Sequence, residues 1–259
     1  MNDVINAFLL GVLQGLTEFL PVSSSGHLVI VRSLMPEFVA PPEIFDVLLH
    51  GGTLIALGVY FKRDLAGITS DIVHRQRRGL HLPLMLFVAS IPVGVVGFFW
   101  ADTVTPLFSS PRVASFGLIG TSVLLASAAR FGRGERTMGQ MQLWQAFAVG
   151  CFQAFAVIPG VSRSGATISL ALILGFSGTE SARFSFLLSI PAILGIVAVR
   201  VAGLGGSGMI GIYLVGAIAA AVSGWLSIAL LMRVLLKRRL LPFTLYCFAL
   251  GSFSLVFLV

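Results

Sequence analysis

Long apolar runs broken by short polar clusters set the pattern of this 259-residue chain. A run of about 20 apolar residues is long enough to cross the hydrocarbon core of a bilayer as a helix. Six runs meet that length, at roughly 43–62, 82–100, 112–130, 182–201, 209–232 and 240–258. Two further apolar stretches, about 4–35 and 143–175, are each interrupted near the middle by proline and a Ser/Gly cluster, PVSSSGH at 21–27 and PGVSRSGAT at 159–167. Neither half of either stretch reaches a full span comfortably. The expected form is a re-entrant helical hairpin, whose irregular turn is tolerated only where protein or a polar cavity surrounds it.

The two broken stretches match each other at a single offset. A shift of 139 residues lays Gly11 on Gly150, Gln14 on Gln153, Ser23 on Ser162, Ser25 on Ser164 and Gly26 on Gly165. The same shift lays Phe45 on Phe184, and Leu48 and Leu49 on Leu187 and Leu188. So many small and polar matches in one register argue for an internal duplication, one hairpin plus three spans and then the same again. Three is odd, so the second copy enters the membrane upside down relative to the first. The predicted fold class is an all-α integral membrane protein with six transmembrane helices and two re-entrant helical hairpins. Its two inverted-topology repeats, residues 1–135 and 140–259, form one membrane domain. Such repeats place a polar site near the bilayer midplane, at the repeat interface.

Composition agrees, with 57% hydrophobic and only 10% charged residues against about 25% charged in a soluble domain. Too little polar side chain is present to cover a water-facing surface, which excludes a soluble globular enzyme, a disordered chain and a disulfide scaffold. The excess of 17 Lys+Arg over 10 Asp+Glu reads as charge in short cytoplasmic loops, not as a nucleic-acid footprint. On the six-span reading, Lys62, Arg63, Arg75, Arg77, Arg78, Arg130, Arg133, Arg136, Arg183, Arg233, Lys237, Arg238 and Arg239 fall on one side. Only Arg32, Arg112 and Arg200 fall on the other. The rich side is then cytoplasmic and both termini face outward. Cys151 and Cys247 lie in apolar runs without metal-like spacing and read as packing residues. The first residues lack the basic region of a cleavable signal peptide, and Gln14 and Glu18 interrupt their apolar stretch.

Two residues stand out chemically. Glu18 lies inside LLGVLQGLTEFLPV, and an ionisable group in such a segment faces the protein interior or water, usually for function. Gln14, four residues earlier, shares its helical face. Together they offer carboxylate and amide oxygens to a hard cation, Mg²⁺ or Ca²⁺, or orient a water; the plain alternative is a carboxylate that caps or pairs with a neighbour. Arg163 follows Pro159-Gly160 in a turn that opens a helix near Ser164. Backbone N–H groups, the helix dipole and the hydroxyls of Ser162, Ser164 and Thr167 suit phosphate oxygens there. The compatible alternative is Arg163 as the structural partner of Glu18 across the repeat interface.

The first motif supplies Ser23, Ser24, Ser25 and His27. A hydroxyl three residues from an imidazole, near a carboxylate, can assemble nucleophile, base and orienting group, although serines also fill helix-start turns. In the second copy Ser24 aligns with Arg163 and His27 with Ala166: one copy carries reactive groups and the other an anion grip. Asp46 and His50, one turn apart, read as a core or interface hydrogen bond, with support of the site the alternative. His74 and His81 lie in the basic loop and read as solvated.

At these motifs the sequence resembles the undecaprenyl-diphosphate phosphatase family of bacterial membranes, the type linked with bacitracin resistance. The likeness rests on QGLTEFLPVSSSGH at 14–27 and PGVSRSGAT at 159–167, supported by FDVLLHGGT at 45–53 and FSFLLSIPA at 184–192. It implies hydrolysis of undecaprenyl diphosphate to the monophosphate and phosphate, with a divalent cation, in a multi-pass protein of the bacterial plasma (inner) membrane. The site would open to the outer, periplasmic side, and the product would recycle the lipid carrier for peptidoglycan synthesis. Carried over by position, Glu18 and Gln14 hold the cation; Gln14 stands where many members have Glu, so Glu18 bears more of that task. Ser24 and His27 correspond to the residues proposed as nucleophile or general base, and Arg163 to the arginine that holds the diphosphate. Ser23, Ser25, Ser162, Ser164 and Thr167 are expected around the phosphates. The partners implied are the lipid substrate and membrane lipid, no nucleic acid, and an oligomeric state left open, a homodimer included. The rival reading is a transporter or flippase of an isoprenoid phosphate or another anion, because inverted repeats with broken helices also build carriers.

Overall fold

The computed structural model describes residues 2–35, 38, 40–74, 79–200, 209–236 and 239–259. Every long element among them is a helix: α1 (Asn2–Phe19), α2 (Ser24–Ser33), α3 (Pro42–Tyr60), α4 (Lys62–Val73), α5 (His81–Phe99), α6 (Ala101–Val104), α7 (Pro111–Phe131), α8 (Leu143–Phe155), α9 (Arg163–Ile173), α10 (Gly178–Arg200), α11 (Ile210–Leu236) and α12 (Leu241–Phe257). The described residues form no strand beyond an isolated bridge between Arg136 and Phe176. Of the basic residues used to assign sidedness, Arg75, Arg77, Arg78, Lys237 and Arg238 lie outside the described residues, as does the side chain of Arg200.

Four helices are long and apolar enough to cross a membrane, α5, α7, α10 and α11, and five if α3 and α4 count as one span bent by 77°. This is fewer than the six uniform spans expected. The apolar run at 43–62 bends at Phe61, where Lys62 and Arg63 begin a polar helix. The run at 240–258 becomes the 17-residue α12, about 26 Å long at 1.5 Å per residue and short of a hydrocarbon core of about 30 Å. The outward faces are oily. Only 11% of the apolar stretch of α5 is buried, and Phe87, Phe98, Phe116 and Val222 stand exposed. In water such a surface would be a liability; against lipid tails it costs nothing.

Helix pairing follows a cross-over rule: α1 packs along α11, and α8 packs along α5. Both contacts need a glycine. A Cβ on Gly11 would sit 2.3 Å from the carbonyl oxygen of Gly216, and a Cβ on Gly150 would sit 2.3 Å from that of Ala89. The two glycines are counterparts in the 139-residue register. Beneath the two broken stretches, Phe19 meets Phe186 edge to face at 5.6 Å, in a core that also holds Leu57, Leu118, Ile168 and Leu187. That packing fixes the C-terminal end of α1, which carries Glu18.

Candidate active site

Each broken stretch turns through a serine that caps the next helix. Ser23 Oγ accepts the N–H of Gly26 at 3.3 Å and lies 3.2 Å from Ser25 Oγ. Ser162 Oγ accepts the N–H of Gly165 at 3.0 Å and lies 3.2 Å from Ser164 Oγ. These caps satisfy backbone donors that a helix start leaves open. The turns also touch: a Cβ on Gly26 would come within 2.9 Å of Gly160 Cα, and Ser164 Oγ donates to the Leu20 carbonyl at 3.1 Å. Gly160 adopts φ +88°, a conformation that glycine reaches without strain. Thr121 on α7 pins that turn, donating to the Gly160 carbonyl at 2.9 Å and accepting the Ser162 N–H at 2.8 Å.

Glu18, 7% exposed, lies where the two turns meet. Its Oε1 accepts from Arg163 Nη2 and stands 3.6 Å from His50 Nδ1. Its Oε2 accepts from Ser24 Oγ and from Gln14 Nε2 at 2.9 Å. A buried carboxylate is tolerated when a cation and hydrogen-bond donors replace its water, and all of these are present. Gln14 Nε2 lies 3.1 Å from His50 Nδ1, so the imidazole lone pair faces the amide. Gln14 Oε1 is buried with no hydrogen-bond partner among the described residues. Arg163, whose side chain is 19% exposed, has a long contact of 3.5 Å from Nη1 to the Ser189 carbonyl and keeps donor capacity toward the site.

The expected residues therefore divide. Gln14, Glu18, Ser24 and Arg163 form one contiguous cluster, with Ser162 and Ser164 on the adjoining turn. His27 faces elsewhere: its Nδ1 lies 2.7 Å from the Ser23 carbonyl and its Nε2 2.7 Å from the Tyr246 hydroxyl. A carbonyl only accepts, so Nδ1 carries the proton, and in the neutral ring Nε2 accepts from Tyr246. Ser24 Oγ is thus bonded to Glu18, not to the imidazole expected to take its proton. Thr167 Oγ1 donates to the Arg163 carbonyl at 2.9 Å and lies 2.6 Å from Ser185 Oγ, which braces the first turn of α9. Ser23 holds φ +67°, the one positive φ among described non-glycine residues, and this turns its carbonyl toward His27.

Three further neighbours complete the site, His50, Tyr246 and Thr121. Asp46 takes Arg32 at 2.6 and 3.2 Å, while His50 reaches Gln14 and Glu18. His50 had a visible signal, since FDVLLHGGT is the counterpart of FSFLLSIPA and His50 is the counterpart of Ser189. Tyr246 and Thr121 had none. His81, read as solvated, is half-buried with Nε2 2.9 Å from the Met141 carbonyl; His74 is exposed as expected. Both cysteines are free, Cys247 buried and Cys151 exposed.

Among the described residues no group of three or more His, Cys, Asp or Glu side chains gathers in metal-binding geometry. Gln14 presents its amide nitrogen to the Glu18 carboxylate, and a half-turn of that amide would put its unpartnered oxygen there instead, which fits a partial oxygen shell. Mg²⁺ is often held by one or two protein oxygens with substrate phosphates supplying others.

Residues 7–253 match the family described as bacitracin resistance protein BacA. A protein of Syntrophotalea carbinolica named undecaprenyl-diphosphatase is 42% identical over 256 residues, covering 96% of each chain. One of the same name from Geotalea daltonii is 39% identical, covering 99% of this chain and 98% of its own. A third, from Methanobrevibacter smithii, is 38% identical over 96% of this chain and 95% of its own. Match and motifs together leave one conclusion: this chain belongs to the bacitracin resistance protein BacA family.

Proposed function

We propose that the Glu18–Arg163 centre carries out the hydrolysis of undecaprenyl diphosphate to undecaprenyl phosphate and phosphate, the activity named for relatives at about 40% identity over the whole chain. One observation carries this reading: the carboxylate of the first motif and the guanidinium of the second are in direct contact inside an apolar body.

Arg163 is an anion grip currently satisfied by a carboxylate. A diphosphate entering the centre competes for that guanidinium, since a planar fork of donors suits phosphate oxygens as well as carboxylate. As Arg163 turns to the terminal phosphoryl, Glu18 Oε1 loses its guanidinium partner while Oε2 keeps its contact with Ser24. Ser24 Oγ already donates to Glu18 Oε2, so Glu18 is placed to take the serine proton. The Ser24 oxygen forms a bond to the terminal phosphorus as the bridging P–O bond breaks and undecaprenyl phosphate leaves. Water then cleaves the phosphoserine, returning Ser24 and phosphate. Arg163, with Ser162 and Ser164 and the start of α9, stabilises charge on the equatorial oxygens. A divalent cation held by Glu18 and Gln14 would supply neutralisation of the phosphate oxygens. His27, fixed by Ser23 and Tyr246, supports the turn that presents Ser24, and Ser23 and Ser25 line the same turn.

The architecture behind this reading is two inverted repeats, residues 1–135 and 140–259, with α1–α2 and α8–α9 as re-entrant hairpins. Its supports are the matching serine caps, the Gly11–α11 and Gly150–α5 contacts, and the shared 139-residue register. The charge distribution supports a plasma-membrane protein whose basic loops are cytoplasmic and whose site opens outward. On the basic side, Arg183 Nε pairs with Asp64 at 2.7 Å. Phosphate release from undecaprenyl diphosphate by the purified protein in detergent, with Glu18→Ala and Arg163→Ala alongside, tests the function. Release by the parent and not by the variants supports it. Turnover that appears only in sealed vesicles favours the carrier reading instead.

A further inference from the structure

We propose that His50 is a third protein ligand of the divalent cation and shifts this chain's preference toward imidazole-binding ions such as Mn²⁺ over Ca²⁺. The proposal rests on the cation reading given above. Its basis is the spacing of three groups. Gln14 Nε2 lies 2.9 Å from Glu18 Oε2 and 3.1 Å from His50 Nδ1, and His50 Nδ1 lies 3.6 Å from Glu18 Oε1. The amide –NH₂ thus occupies the place of a positive centre between two acceptors, while Gln14 Oε1 is buried without a partner among the described residues. A half-turn about the terminal side-chain bond of Gln14 exchanges nitrogen for oxygen. It then sets the amide oxygen where the nitrogen stood, 2.9 Å from Glu18 Oε2 and 3.1 Å from His50 Nδ1, with Glu18 Oε1, which also accepts from Arg163, 3.6 Å from the same imidazole nitrogen. The two shorter separations are those of adjacent ligands about 2.1 Å from an octahedral ion.

His50 suits the task better than His27, whose two ring nitrogens are taken by Ser23 and Tyr246. Imidazole nitrogen favours Mn²⁺ and later first-row ions, whereas Ca²⁺ favours oxygen. In the second repeat the counterparts of Glu18 and His50 are Val157 and Ser189, so the donor set exists once.

The test is Mn²⁺ binding to the full-length, tag-free protein in detergent, read by electron paramagnetic resonance, with Ca²⁺ as competitor. The expected result is saturable Mn²⁺ binding that Glu18→Ala abolishes, with ¹⁴N coupling from an imidazole in the parent protein. In His50→Gln, which exchanges nitrogen for oxygen, that coupling is lost and the Mn²⁺:Ca²⁺ affinity ratio falls at least about tenfold. Glu18-dependent Mn²⁺ binding without nitrogen coupling, or with a ratio unchanged in His50→Gln, overturns the role of His50 and leaves the cation site standing. Absence of any Glu18-dependent binding overturns both. The coupling is read on the unaltered protein, so the result does not hinge on a variant folding.

Discussion

Arg163, the first residue of α9, donates to the carboxylate of Glu18 at the C-terminal end of α1, a contact that joins residues 145 apart in the chain. It ties the two broken stretches together at the level of single atoms. Without Arg163 the carboxylate would be buried and uncompensated; without Glu18 the guanidinium would be. Removing one member of a buried pair typically costs about 3–5 kcal/mol, whereas replacing both by apolar groups can cost far less. Arg163→Met is therefore expected to melt well below the parent in detergent, and Glu18→Leu/Arg163→Met to recover much of the loss. A double variant less stable than Arg163→Met would contradict this electrostatic account.

Ser24→Ala is expected to abolish turnover while leaving substrate affinity within a few-fold, because Arg163 remains. Rapid quenching of the parent enzyme with substrate labelled in its terminal phosphate should trap label on Ser24, and a label-free protein would remove the covalent step.

Tyr246→Phe removes the hydroxyl 2.7 Å from His27 Nε2 and leaves the ring. A lost hydrogen bond of this kind is worth about 1 kcal/mol. The expected effect is a several-fold fall in kcat with KM little changed, since the serine turn loosens but the phosphate grip does not. Complete loss of activity in Tyr246→Phe would give His27 a direct chemical role.

Gly150→Val places a branched side chain against the Ala89 carbonyl, where even a Cβ would lie at 2.3 Å. Overpacking of this kind costs about 1–3 kcal/mol, and here the obstacle is backbone, which cannot swing aside. Among the described residues nothing lies within 4 Å of a Cβ added to Gly94, so Gly94→Ala serves as the mild comparison. Thermal unfolding in detergent should rank Gly150→Val far below it.

Much of this was legible in the sequence, for identifiable physical reasons. Glu18 and Arg163 were conspicuous because charge inside an apolar run is costly and needs a reason. The register linking Ser23 with Ser162 was visible because the same cap geometry requires the same residue types in both copies. What escaped notice depended on distance in the chain. The hydrogen bond from Tyr246 to His27 joins residues 219 apart, and no periodicity announces it. His50 reads as half of an i,i+4 pair with Asp46, yet the turn of α3 sends Asp46 to Arg32 and His50 to Gln14. The bend between α3 and α4 and the shortness of α12 are local end effects that a count of apolar residues passes over.

The central claim is that Glu18 and Arg163 work as one unit, and single-turnover phosphate release in a double-mutant cycle addresses it most directly. Glu18→Gln, Arg163→Lys and the double variant are compared with the parent enzyme at saturating undecaprenyl diphosphate. Each single change should cost about 3 kcal/mol of transition-state stabilisation, in line with the loss of an oxyanion donor. The double variant should be little worse than the poorer single one. Losses that simply add would contradict the account, because two groups that share one phosphoryl centre cannot fail independently.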